Sequence, residues 1–570
     1  MYILGISCFF HDSSAVLLKD GRVVVAIQEE RLTRKKHDNS FPVRAVNYCL
    51  IKQRISIEEV DFVIFYEKPL LKFERLLYQF IETFPWSWRQ FLAVMPVWFS
   101  KRLRVIRLVR KKLGYKKNVL FVEHHQAHAA SSFFCSPFEQ AVILTIDGVG
   151  ERTTTAAGLG SGNKIKLEKE IRFPHSLGLF YSTITAYLGF SVNNSEYKVM
   201  GLSAYGEQDK NNNIFYKKLK EVIDIKDDGS FRVDMSYFKY HYTGKMPSAK
   251  LCCLLGGPIR QKNESIEIRH QDIASALQLI TEEVVFKILN DLYKNYQCEN
   301  IVLAGGVALN SVLNGKILRQ TKFKNIWVQP NASDGGTSLG AALFVYHQIL
   351  NNNNRRPLVD GYLGSEYSDL EIKKFLDQNQ IKYYEFADKN ELVQKIAQLI
   401  FDNKIIGWFQ GREEWGPRAL GARSILANPL NPKMKDILNL KVKHRESFRP
   451  FAPAVCHENA KEYFELDGAL FGLAEHMLAV CRIKKEWQAR IPAICHVDGT
   501  ARPQIVKKDN NPLYYDLIKE FGKISGVPIL INTSFNVSNE PIVSSPEDAY
   551  RCFCGTEIDY LVLGNFLITK

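Results

Sequence analysis

At 570 residues the chain exceeds what one core sustains, since cores stop growing near ~250–300 residues. Hydrophobic residues at 46% and charged residues at 24% exclude a disordered or fibrous chain. The formal charge of +14 asks for an anionic partner, and nucleic acid, acidic lipid and phosphorylated small molecules all qualify.

The chain opens on a strand-like run with no charged leader, so no secretory signal is expected. No stretch reaches the ~18–20 uncharged apolar residues of a membrane span. Eleven cysteines, irregularly spaced and without C-x-x-C, read as reduced thiols in a cytoplasmic protein.

Residues 3–7, 15–19 and 22–29 are apolar, β-branched stretches, the last two joined by the turn K-D-G-R, which predicts a β-meander. His11-Asp12 follows the first strand, and the run Arg34-Lys35-Lys36-His37 closes the third. A histidine beside a carboxylate suits a general base for an alcohol, whose own pKa is far too high for it to ionise unaided. A turn-stabilising aspartate and a solvated basic run is the plain alternative.

Residues 70–117 read as an insertion. Phe84, Trp86, Trp88, Phe91, Trp98 and Phe99 lead into nine Lys or Arg between Lys101 and Lys117, with no acid among them. A helical subdomain with a solvated basic face accounts for this; peripheral docking to an anionic membrane is the sharper reading.

In E-H-H-Q-A-H (residues 123–128), a helix puts His124 and His128 on one face at i and i+4, a spacing that lets two imidazoles share a metal. The glutamate of H-E-x-x-H is missing, which speaks against a metalloprotease. Asp147 opens D-G-V-G-E at the end of a strand over 142–147, and Asp334 lies in N-A-S-D-G-G-T-S where a strand turns into a helix. Two histidines and two carboxylates suit iron, zinc or manganese. Taken singly, each aspartate before glycine reads as a turn cap.

A helix over 272–296 follows from Ile273, Leu277, Ile280, Val284, Ile288 and Leu292 at three- and four-residue spacing. The strand 300–303 then runs into Gly305-Gly306, and G-G-V-A-L-N ends on Asn310; paired glycines let backbone amides approach a phosphate or sugar. The run N-N-N-N-R-R-P (351–357) is the clearest linker and gives domains 1–350 and 358–570. No repeat of solenoid period is visible. Past the linker, Lys441, Lys443, Arg445 and Arg449, with Arg418 and Arg423, form a cationic set suited to two polyanions.

These segments together resemble the O-carbamoyltransferases that act on nodulation factors, aminoglycosides, cephems and aminocoumarins. The resemblance rests on I-L-G-I-S-x-x-x-H-D-S-S-A (3–15), E-E-R-L-T-R-K-K-H (29–37), H-H-x-A-H-A-A-S (124–131), D-G-x-G-E (147–151), K-V-M-G-L-S-A-Y-G (198–206) and S-D-G-G-T-S-L-G (333–340). It continues through G-P-R-A-L-G-A-R-S (416–424), K-V-K-H-R-E-x-F-R-P-F-A-P (441–453), D-G-T-A-R-P-Q (498–504) and N-T-S-F-N (532–536).

The resemblance implies an α/β protein with two domains. The first is actin-like, of the sugar kinase/actin superfamily and similar to the threonylcarbamoyl-adenosine transferases. The second is a YrdC-like α/β domain. In that family carbamoyl phosphate and ATP, the latter with Mg2+, give carbamoyl-adenylate in the YrdC-like domain, and a hydroxyl acceptor takes the carbamoyl group in the other. By motif position His124, His128, Asp147 and Asp334 hold a metal, Fe2+. His11, Asp12 and Lys36 belong to the transfer site, and Lys198, Gly305, Gly306 and Asn310 to the adenylate there. Arg418, Arg423, Lys443, Arg449, Arg502, Asn532 and Ser534 serve activation. Residues 70–117 and 210–265 align with nothing and are left to the acceptor. A tRNA threonylcarbamoyl-type transferase, a non-enzymatic actin-like ATP-binding protein and a metallohydrolase are the rivals. The fused second domain speaks against the first, so no nucleic acid is expected, and a homodimer is the default assembly.

Overall fold

The computed structural model describes residues 1–466 and 468–570. The chain forms two compact units: Met1–Val24 with Asn39–Pro357, and Val25–Asp38 with Leu358–Lys570. Residues 25–38 therefore group with the far end of the chain rather than with their neighbours.

Five strands build the first sheet: β1 (Tyr2–Ser7), β2 (Ser14–Lys19), β3 (Arg22–Gln28), β4 (Phe62–Phe65) and β5 (Val119–Phe121), in the order β3-β2-β1-β4-β5. β1 runs antiparallel to β2 and parallel to β4, and β4 is parallel to β5. A second sheet repeats this plan with β6 (Gln140–Ile146), β7 (Thr153–Ser161), β8 (Lys164–Arg172), β9 (Asn300–Ala304) and β10 (Asn325–Val328). Its order is β10-β9-β6-β7-β8, with β6 antiparallel to β7 and parallel to β9. Two sheets of one plan give the actin-like architecture that the resemblance implies.

The central strands are apolar on both faces, as strands covered from both sides must be; Ala141–Leu144 and Ile301–Val302 are fully buried. The helix expected over 272–296 runs Ile268–Tyr296. It starts one turn early because the His270 ring accepts from the Glu267 amide at 3.0 Å and so caps the N-terminus. The meander forms as expected, with one correction. The third strand ends at Gln28, and a helical turn Glu29–Thr33 intervenes before Arg34, which closes it in the left-handed region at φ 61°. The basic run thus follows a helix, not a strand.

In the second unit eight strands form one mixed sheet, with Ile406–Phe409, Arg423–Ala427 and Ile529–Ser534 adjacent at its centre. Helices Lys389–Phe401 and Pro512–Ser525 cover it, burying Leu392, Ile396, Trp408, Leu517 and Phe521. This is an α/β fold. Among the described residues no helix is long and apolar enough to cross a membrane.

Candidate functional site

The helix His124–Phe133 buries all three of its motif histidines. Its own first residue gives no side-chain cap; instead both Glu151 carboxylate oxygens accept from the His124 amide at 3.1 Å, an anion where the helix dipole favours one. Asp147 follows β6, and Asp334 opens the turn into the helix Thr337–Phe344. That turn is tied to the meander: Ser14 Oγ lies 2.6 Å from both Gly335 O and Ser338 Oγ, and 2.8 Å from Ser7 Oγ. The polar S-S-A and D-G-G-T-S motifs are thus two halves of one joint.

Four side chains from three separate segments converge. One ligand atom from each of His124, His128, Asp147 and Asp334 lies within 4.8 Å of the other three, and all four residues are buried. His124 Nε2 is 3.1 Å from His128 Nε2 and from Asp147 Oδ2, and 3.7 Å from Asp334 Oδ1. His128 Nε2 is 3.8 Å and 3.5 Å from the same two oxygens. Four ligands held at ~2.0–2.1 Å around a tetrahedral ion stand about 3.3–3.4 Å apart, inside that spread. Asp334 Oδ1 is buried and accepts no hydrogen bond from the described residues, an arrangement that costs free energy unless a cation meets it. The donor set fits a divalent metal.

The electrostatics agree. Burial opposes charge on Asp147, yet hydrogen bonds from His124 and His128 hold its carboxyl well below the usual range. Burial likewise opposes the His128 imidazolium, but Asp147 and Asp334 raise it to about 9. His125 stands apart: its ring meets Thr145 Oγ1 at 2.7 Å and Thr153 O at 2.9 Å, and burial beside the other two histidines pushes it down to about 3. The middle histidine of the motif is a neutral structural residue.

His11 Nδ1 pairs with Asp12 Oδ2 at 2.9 Å. Burial disfavours its charge, but Asp12, with smaller pulls from Asp334 and Asp147, raises it to about 10. Lys36 belongs to the second unit, where its Nζ reaches Glu540 O at 3.5 Å. Gly305 holds φ 90°, a conformation that favours glycine, and the Gly306 amide donates to Asp147 Oδ1 at 3.1 Å. The paired glycines thus orient a cluster carboxylate. Asn310 caps the helix Ser311–Gln320 and bonds Gln278, so its amide is committed to the fold. Lys198 Nζ sits 5.6 Å from the Phe190 ring.

In the second unit, Asn532 joins the expected motifs. Its strand pairs with those of Arg423–Ala427 and Ala452–Cys456, and its Nδ2 donates to Ala419 O at 3.1 Å and Gln504 Oε1 at 2.6 Å. Arg418, Arg449 and Arg502 are half-buried on the segments so joined. Lys443 is buried, donating to Ser534 O and, at 3.0 Å each, to Asn536 O and Oδ1. Burial, with Arg445, Arg449 and Lys36 nearby, holds its ammonium well below the usual lysine range. The structure corrects one expectation here. Arg423 is wholly buried, its terminal nitrogens bond Gln410 O, Gly411 O, Ala422 O and Ser365 O, and its guanidinium lies over the Phe409 ring at 3.6 Å. It ties the strands together. Glu151 is the contributor that the sequence reading missed; D-G-V-G-E contained it, but only the tertiary fold brings its carboxylate to the His124 amide.

Family models describe what these residues belong to. The carbamoyltransferase N-terminus model matches residues 2–343 and the carbamoyltransferase C-terminus model matches residues 397–570. An uncharacterized protein, sll1178, of Synechocystis is 46% identical over all of this chain and 97% of its own length. Nodulation protein NolNO of Sinorhizobium fredii is 36% identical over 99% of this chain and 79% of its own. Full-length HypF, solved in a phosphate- and nucleotide-bound form, is 14% identical over 62% of this chain and 56% of its own, with a TM-score of 0.30. With both halves matched in order, this chain belongs to the carbamoyltransferase family and is a transferase.

Proposed function

We propose that the chain is an ATP-dependent O-carbamoyltransferase that makes carbamoyl-adenylate from carbamoyl phosphate and ATP, and passes the carbamoyl group to a hydroxyl of a small molecule or glycan. The observation that carries this reading is the convergence of His124, His128, Asp147 and Asp334 inside the segment matched by the carbamoyltransferase N-terminus model.

Activation belongs to the second unit, where Arg418, Arg449 and Arg502 lie on the segments joined at Asn532, and the buried Lys443 bonds the half-buried Ser534. Planar guanidinium groups suit the phosphate oxygens of two polyanionic substrates, with Mg2+ accompanying ATP. Transfer belongs to the first unit. The acceptor oxygen attacks the carbamoyl carbon, the bond from that carbon to the AMP oxygen breaks, and the hydroxyl proton leaves to a base. His11 is that base in our reading. Asp12 is the main group holding a proton on its ring, with smaller pulls from Asp334 and Asp147, so His11 takes the acceptor's proton only after its own has left. His124, His128, Asp147 and Asp334 would hold a divalent metal, which we assign as Fe2+ and which, when bound, would supply Lewis-acid polarisation of an oxygen. Substrates of this kind place the reaction in the cytoplasm.

The test is incubation with labelled carbamoyl phosphate and ATP, following AMP release and the mass of candidate acceptors. Label on an alcohol acceptor, lost in His124→Ala and in Arg449→Ala, is the expected result. AMP release that requires threonine and tRNA would move the chain to the tRNA-modifying reaction, and ATP binding without turnover would make it a nucleotide sensor.

A further inference from the structure

The insertion between β4 and β5 carries a surface that carbamoyl transfer does not explain. Helices Pro69–Glu82 and Trp88–Ser100 pair through aromatic rings, Phe80 on Phe91 at 5.4 Å and Phe73 on Trp98 at 5.7 Å. Pairing buries Phe80, Met95 and Trp98 and leaves the turn between the helices apolar and uncovered. Phe84 is 71% exposed, Trp86 77% and Trp88 50%, with Ile81 and Leu92 beside them at 73% and 60%. Of the 24 large apolar side chains exposed among the described residues, eleven fall between Leu70 and Ile106. That density marks a patch rather than the scattered exposure normal on a folded surface.

The charge beside the patch has one sign. From residue 83 to residue 122 there is no Asp or Glu, and there are ten Lys or Arg, against a whole-chain excess of +14. The helix Val105–Leu113 buries Val105 and Val109 and leaves Arg107, Arg110, Lys111 and Lys112 in solvent. Self-association through this face would bring two such cationic surfaces together, which disfavours a second copy as the occupant. Nucleic acid would meet the cations but leave Ile81, Phe84 and Leu92 in water.

We propose that residues 69–117 are a peripheral docking surface for an anionic lipid bilayer. The tip Phe84–Trp88 enters the interfacial zone that tryptophan and phenylalanine favour, and the basic helix meets the headgroups. The insertion is fixed to the loop that carries His11: Arg102 donates to Phe9 O, and Lys72, paired with Glu67 at 2.5 Å, lies 5.5 Å from the Phe10 ring. The surface and the transfer loop are therefore one packed piece of the first unit. The proposal stands whether or not carbamoyl transfer is the reaction, and its test needs no acceptor.

Full-length protein is sedimented with vesicles of phosphatidylcholine alone or with about one-third phosphatidylglycerol. The expected result is binding to the anionic vesicles only, with a blue shift of tryptophan emission. Lys111→Glu with Lys112→Glu should weaken it, each charge removed costing about fivefold, and 0.5 M salt should release most of the protein. Phe84→Ser with Trp86→Ser should lower binding at least tenfold with an unchanged melting temperature, since both side chains already lie in water. No binding to anionic vesicles at low salt overturns the proposal. So does binding untouched by the tip variant, or a concentration-dependent dimer, or a complex with single-stranded RNA, that shields Trp86 in place of lipid.

Discussion

His128 shows how a pair of carboxylates sets the chemistry of a single imidazole. Asp147 and Asp334 raise it to about 9, so at neutral pH the ring carries the proton that a metal must displace. Metal affinity should therefore climb about tenfold per pH unit up to about pH 9 and level off above it. Titration calorimetry of metal-stripped protein at pH 6, 7 and 8 reads that slope together with release of about one proton. His128→Gln should abolish both. This pair was legible in the sequence because a helix puts positions four apart on one face. What holds His125 aside was not legible, since Thr145 and Thr153, its partners, lie twenty or more residues away and reach it only through the pairing of β6 with β7.

The helix Thr337–Phe344 is wedged between β1 and the histidine helix, and small residues set both contacts. A Cβ on Gly340 would stand 1.7 Å from Ala127 O, and one on Gly5 would stand 1.9 Å from Ser338 O. Neither gap can open without moving backbone that carries Asp334 or His128. Gly340→Ala should cost about 1–3 kcal/mol, the usual penalty for overpacking, and should also weaken metal binding. A thermal melt and a metal titration on the same variant check both, and loss of stability with unchanged affinity would show that the helices can part without disturbing the cluster. Apolar periodicity made the long helix Ile268–Tyr296 and the meander readable. The duplicated five-strand plan came from the family resemblance and not from periodicity, because strand order is a property of long-range pairing.

Neither unit is a continuous stretch of chain, a consequence of pairing that a linker search at 351–357 has no means of detecting. Arg31 is buried, its Nη1 3.0 Å from Glu413 Oε1 and its Nη2 2.7 Å from Gly416 O, while Arg34 donates to Pro541 O and Ile542 O at 2.8 Å and 2.6 Å. Removing one partner of a buried ion pair costs about 3–5 kcal/mol, because the other charge stays buried. Arg31→Met should lower the calorimetric transition of the second unit by that amount, and residues 358–570 expressed alone should fold poorly until a peptide covering 25–38 is added. A fragment that melts cooperatively without the peptide would contradict this. The same discontinuity imposes an order on synthesis. Residues 25–38 leave the ribosome 320 residues before Leu358, a wait of roughly 15–65 s at about 5–20 residues per second. Through that interval Arg31, which the fold buries against Glu413, waits for a partner not yet made, so the growing polypeptide is a natural client for chaperones that hold open chains.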